Sequence, residues 1–180
     1  MSEQKGFTLW FTGLSGSGKT ALAKELAPVL RERGLNVERL DGDIVRQSLT
    51  KDLGFSAEDR NTNIERVTFV AKLLSRNGVA VLASFISPYI ARRDKSRAEI
   101  DNFVECYTEC PLEILVERDV KGLYKKALAG EIKNFTGVSD PYEAPPNAEI
   151  TVNSGTQTIE ESMAIILQRL EELGYLPKAD

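Results

Sequence analysis

Residues 13–20 read GLSGSGKT, which fits the pattern G-x-x-x-x-G-K-[ST]. Gly13, Gly16 and Gly18 let the backbone wrap tightly, so the N–H groups of Gly13, Leu14, Ser15, Gly16, Ser17 and Gly18 can point inward as an anion nest. A helix starting at Lys19 would add its positive end to the same nest. Lys19 supplies a point charge for the β- and γ-phosphates of a nucleoside triphosphate, and the Thr20 hydroxyl suits Mg²⁺. A glycine-rich turn with a chance Lys-Thr would need neither a strand before it nor a helix after it. GFTLWFT (6–12) reads as that strand, and Leu22, Leu26, Val29 and Leu30 recur at helical spacing as that helix.

A second cluster able to do chemistry is Leu40-Asp41-Gly42-Asp43, at the end of the next apolar run. Ligands of open α/β sheets sit beyond the carboxyl ends of strands, so Asp41 and Asp43 are expected to face the site. Phosphoryl transfer needs a held metal, screened charge and an acceptor hydroxyl near a carboxylate. Asp41 is the candidate carboxylate, as a base or through a metal-bound water, and a metal ligand beside Thr20. Asp43 has two readings, a site residue or the N-cap of a helix beginning at Ile44.

The elements that must position these groups follow from composition and periodicity. The chain has 180 residues, 23 basic and 27 acidic, for a net charge of −4, and no histidine. That removes histidine bases, histidine-ligated zinc and the Ser-His-Asp triad. The mild acidity argues against a broad nucleic-acid-binding face. No run approaches the ~18 apolar residues of a membrane span, and Met1–Lys5 has no signal core, so a cytoplasmic protein is expected. Cys106 and Cys110 fit neither a disulfide framework nor a redox motif and read as a reduced strand-end pair. One domain over 1–180 is the default at this length.

Further strands are expected at 36–40, 79–85, 103–109 and 149–152. VAVLASF (79–85) is nearly all apolar, as in a parallel sheet covered on both faces. Ile64, Val67, Val70, Ala71 and Leu74 mark a helix, and Ile159, Met163, Ile166, Leu167 and Leu170 another. Pro28 predicts a kink or an early end in the first helix. The alternation implies an α/β fold, a mainly parallel sheet with helices on both faces. Residues 120–147, rich in Lys, Gly and Pro, are long for a connection and read as a lid.

Five segments then carry a resemblance: WFTGLSGSGKT (10–20), LDGDIVR (40–46), DLGFSAEDRNTNIERV (52–67), FISPYIARRD (85–94) and ERDVKGLYKKALAGEIKNFTGVSDPYEAP (117–145). Together, in this order and spacing, they resemble the adenylylsulfate (APS) kinases, which have a P-loop NTPase fold. The resemblance implies ATP-dependent phosphorylation of the ribose 3′-hydroxyl of adenosine 5′-phosphosulfate (APS), giving 3′-phosphoadenosine 5′-phosphosulfate (PAPS) and ADP, with Mg²⁺ as the metal. It also implies a homodimer. Phe55 and Phe135 look like the family pair that sandwiches the APS adenine, where stacking is worth ~1–3 kcal/mol. Arg46, Arg60 and Lys121 look like the clamp on the phosphosulfate, and Asn63 like a residue beside it. Ile86 and Ser87 resemble a backbone-and-hydroxyl substrate contact. Ser87 also matches a serine described in some relatives as phosphorylated, which makes it a catalytic candidate, although in-line transfer needs no covalent step. Arg118 resembles the residue packed on the ATP adenine, and Leu123 lies inside the lid motif as a substrate contact. Lys125, Lys126 and Lys133 read as a diffuse positive field, and Tyr89, Arg92 and Arg93 as structural or peripheral.

The chain departs from the common pattern at Ala21, at Glu65 and at 145–150. Thr20 keeps the metal-binding hydroxyl, while Glu65 removes a possible anion contact. The short N-terminus predicts a stand-alone kinase with no fused sulfurylase. A P-loop kinase for another small acceptor would share the loop but would not need Phe55, Phe135 and the KGLYKKA lid together. A decayed nucleotide-binding subunit would not need intact Lys19, Thr20 and Asp41. A GTP switch would carry an N-K-x-D-like motif, which is missing.

Overall fold

The first strand, β1 (Phe7–Thr12), is buried at all six positions, so both faces of the sheet are covered there. The computed structural model describes residues 5–177. After β1 come α1 (Lys19–Glu32), β2 (Val37–Asp41), α2 (Gly42–Val45), α3 (Ala57–Arg76), β3 (Ala80–Ser84) and α4 (Ile90–Glu99). β4 (Phe103–Glu109), α5 (Leu112–Arg118), α6 (Leu123–Leu128), β5 (Ile150–Asn153) and α7 (Ile159–Glu172) complete the described chain. The strands form one five-stranded sheet in the order β2-β3-β1-β4-β5, with every pairing parallel. No described helix is long and apolar enough to cross a membrane.

Strand alternation sorts the core into two layers. Phe7, Leu9 and Phe11 join Leu82, Val104, Val152, Leu22, Leu26, Leu30, Ile166 and Leu170 on the face covered by α1 and α7. Trp10, Val81, Ala83 and Phe103 point the other way, against Ile64, Val67 and Ala71 of α3. β1 lies between β3 and β4, so its carboxyl end opens where the strand order reverses, the crevice in which open α/β sheets bind ligands.

Several expectations on the elements need correction. α1 does not end at Pro28 but continues to Glu32. Pro28 is exposed, as is Lys24, whose carbonyl loses its helical partner to the proline and can turn to water. Buried Leu26 and Leu30 hold the helix against the sheet across that defect. α3 begins seven residues before its first periodic apolar position, because Ser56 caps it by accepting from Asp59 N–H. The cap of α2 is Asp41, which accepts from Asp43 N–H, so Asp43 is not the N-cap and sits in the first turn. Residues 120–147, read as a lid, contain α6.

β5 is pinned by a carboxylate just before it. Glu149 pairs with Arg97 and accepts from Glu105 N–H at 2.7 Å. Burial alone would raise its pKa, but the Arg97 guanidinium and the backbone N–H outweigh burial and hold it below the usual 4.5. A carboxyl depressed in the folded chain adds stability above its unfolded value and loses it as pH falls through its folded value. Glu149→Gln is therefore expected to flatten the fall in stability between about pH 5 and about pH 3 in urea titrations. An unchanged slope would count against this role.

Candidate active site

The loop between β1 and α1 owes its shape to close backbone approach. A Cβ on Gly13 would lie 2.5 Å from the Thr108 carbonyl oxygen. Gly18, the N-cap of α1, has φ +98, which L side chains resist. The buried Lys19 ammonium turns back and donates to the Gly13 and Leu14 carbonyls, both at 2.8 Å. Burial first, and the charge of Lys121 second, lower its pKa to about 7, with Asp41 and Asp43 pulling the other way. The Ser17 hydroxyl is buried in the loop with no partner inside the protein.

One carboxylate ties this loop to the end of β2. Thr20 Oγ1 donates to Asp41 Oδ2 at 2.6 Å, while Asp41 Oδ1 caps α2 at 3.0 Å. Asp41 is buried, so both oxygens have fixed directions. A hydroxyl and a carboxylate oxygen at this spacing are the hard oxygen donors that Mg²⁺ prefers. No group of three or more His, Cys, Asp or Glu poised for a metal exists among the described residues. Asp43, largely exposed, receives a hydrogen bond from Lys121 at 2.9 Å.

The expected acceptor residues fall into two connected groups. The Arg46 guanidinium lies 4.4 Å from the Phe55 ring centroid and donates to the Leu53 and Gly54 carbonyls. Phe55 is 61% exposed, a large apolar ring left in solvent. Arg60, four residues into α3, pairs with Asp140 at 2.8 Å and donates to the Asn134 carbonyl. Asn63 lies one turn further along the same helix, buried, with an unpartnered Oδ1. Phe135 meets Tyr124 edge-on at 5.1 Å, and the Tyr124 hydroxyl donates to the Ser15 carbonyl at 2.7 Å. A continuous path of contacts therefore runs from the phosphate loop through Tyr124, Phe135 and Arg60 to α3. Phe55 and Phe135 do not touch each other among the described residues and pack on different partners.

Arg118, Lys121 and Leu123 line one hollow with Ser15 and Gly16, and Arg118 also donates to the Ser154 carbonyl at 3.0 Å. Asp119 accepts from the Tyr124 and Lys125 N–H groups at the start of α6. Ile86 and Ser87 follow β3. Ser87 is buried with φ +42, and its hydroxyl accepts from Trp10 Nε1 at 3.0 Å and donates to the Phe85 carbonyl at 3.2 Å. That side chain is engaged with the core, a poor posture for a nucleophile. Thr12, Tyr124 and Tyr142, to which no motif gave a role, and Arg93, read as structural or peripheral, join these pieces.

Comparison with known proteins places this geometry. A profile of the adenylylsulphate kinase family matches residues 5–153. The chain belongs to that family. It is 67% identical over 169 residues to a probable adenylyl-sulfate kinase of Pseudomonas aeruginosa, covering 94% of this chain and 79% of that one. Among solved structures of the family, it resembles the Mycobacterium tuberculosis APS kinase in complex with AMPPNP and APS. That match has a TM-score of 0.89 and 41% identity, covering 93% of this chain and 99% of the other. It also resembles a hexameric APS kinase from Thiobacillus denitrificans, with a TM-score of 0.73 and 37% identity, over 97% of this chain and 30% of that one.

Proposed function

We propose that this chain transfers the γ-phosphoryl group of ATP to the ribose 3′-hydroxyl of APS, forming PAPS and ADP. The observation that carries this reading is the likeness, over 93% of the chain, to a family kinase solved with AMPPNP and APS. ATP lies with its phosphates on residues 13–20 and its adenine against Arg118. Incoming phosphate anions favour the charged form of Lys19, drawing it from the Gly13 and Leu14 carbonyls onto the β- and γ-phosphates. Thr20 and Asp41 hold Mg²⁺, which when bound screens the phosphate charge and aligns the transferring group. Both Asp41 oxygens are already engaged, so its role is to orient this assembly rather than to act as a free base.

APS lies between Phe55 and Phe135, its anion held by Arg46, Arg60 and Lys121 and neighboured by Asn63 and Leu123. The unpartnered Asn63 Oδ1 supports a polar ligand beside α3. Asp43 steers Lys121, and Ile86 and Ser87 border the acceptor through their backbone. The protein is a cytoplasmic homodimer in this reading; light scattering that returned a hexamer would replace the dimer. Incubating the purified chain with Mg-ATP and APS, and resolving nucleotides by anion exchange, should yield PAPS and ADP in equal amounts. ADP formed from other small acceptors but not from APS would overturn the assignment.

Ser87→Ala separates direct transfer from a phosphoenzyme route. Its hydroxyl is spent on Trp10 and Phe85, so the variant is expected to keep turnover within about tenfold of wild type while losing ~1 kcal/mol of stability. A loss of about 10³-fold in kcat with intact folding would restore the serine as a nucleophile.

A further inference from the structure

We infer that Arg93 is a positioning residue for the acceptor nucleotide, one guanidinium that locks the turn after β3 to the returning arm of the lid. The inference deepens the reading of Ile86 and Ser87 as the acceptor border and rests on it. Arg93 is 2% exposed, on a helix whose buried residues are otherwise Arg92 and Ser96. Its Nε donates at 2.8 Å to Glu105 Oε1, on a β4 carboxylate that is itself buried. With that edge fixed, Nη1 donates to the Ser87 carbonyl and Nη2 to the Glu143 carbonyl, each at 2.6 Å. The planar fork of arginine can hold two diverging acceptors in one rigid frame, which lysine cannot.

The two carbonyls belong to segments that need holding. Ser87 has φ +42, a strained value for a residue with a Cβ that persists only where its surroundings enforce it. Glu143 is where the lid rejoins the body: its N–H donates to the Pro88 carbonyl at 2.8 Å and its carboxylate accepts from Ile90 N–H at 2.7 Å. Thr12, the residue before the phosphate loop, repeats the connection. Its hydroxyl donates to the Ile86 carbonyl at 2.8 Å and shares a hydrogen bond of 2.9 Å with the Tyr142 hydroxyl. The Tyr142 ring stacks on Tyr107 and sits under Arg93 at 5.8 Å. Arg93 makes no contact with the phosphate loop, Asp41 or Arg118 among the described hydrogen bonds and ion pairs, so its influence falls on the acceptor side.

Steady-state kinetics with APS and ATP varied in turn test this, with the thermal midpoint of each variant measured alongside. Arg93→Lys keeps a cation for Glu105 but cannot hold both carbonyls. It is expected to raise KM for APS about 10- to 100-fold and leave KM for ATP within about twofold. Tyr142→Phe, which loses one hydroxyl and no charge, is expected to move KM for APS in the same direction by about three- to tenfold. Arg93→Met leaves the buried Glu105 with only its longer contact to Arg97, at 3.3 Å, and can fail to fold, whereas the double variant R93M/E105M removes the buried pair and leaves Arg97 its partner Glu149. The folded double variant should reproduce the APS defect. An unchanged KM for APS in Arg93→Lys or in the folded double variant overturns the inference. So does a rise in both KM values together, as partial unfolding would give. Should the wild type phosphorylate a different small acceptor, the function reading falls, and Arg93 is judged by the same split on that acceptor.

Discussion

Lys19→Met is expected to lower kcat for PAPS formation by about 10³-fold or more while the fold survives. The ammonium is the one cation inside the phosphate loop, and charge placed where a phosphoryl group transfers is worth this much or more. Stability should not suffer. Burial already pushes the amine down to about 7, and methionine fills a similar volume with no charge to bury. Far-UV circular dichroism and a thermal midpoint at or above the wild-type value, beside a single-turnover assay, check both halves. A variant with turnover near wild type would remove Lys19 from the chemistry. A variant that unfolds would make the Gly13 and Leu14 contacts structural.

Asp41→Asn is expected to reduce kcat by about 10²- to 10³-fold and to raise the Mg²⁺ concentration for half-maximal rate by about tenfold. The substitution discriminates because asparagine is as good an N-cap as aspartate, so α2 and its bond from Asp43 N–H should persist. Only the negative charge facing Thr20 is lost. A fall in kcat with an unchanged Mg²⁺ requirement would instead make Asp41 the base. No change in either would leave it as a cap.

The elements with apolar periodicity were readable from the chain, and so was the loop at 13–20. β1, β3 and β4 are short buried runs, and α7 shows its stripe plainly. α4 was not readable, because the helix IARRDKSRAE packs its inner face with Arg92, Arg93 and Ser96 rather than with apolar side chains. One signal could have found it. Glu105 lies between apolar residues in the strand FVECYTE and is itself buried, and a carboxylate there requires a cation from a neighbouring element. Arg93, set aside as structural or peripheral, is that cation.

The site residues divide in the same way. Lys19, Thr20 and Asp41 follow from local pattern, because loop, helix start and strand end are adjacent by topology. The acceptor side depends on contacts far apart in sequence, such as Arg60 with Asn134 and Asp140, and periodicity cannot foresee those. Nor does spacing show that the Ser87 hydroxyl points into the core, which follows only from Trp10 lying under it. The exposed ring of Phe55 is the reverse case: local pattern would bury it as a loop anchor, and the fold leaves it in solvent under Arg46.

Trp10 is the sole indole in the chain, fully buried, and its N–H rests on Ser87. The molecule thus carries a built-in optical gauge, with its single tryptophan, which can be excited apart from the tyrosines, wired to the turn after β3. Any event that shifts that turn is visible in the native fluorescence, without a dye or a label.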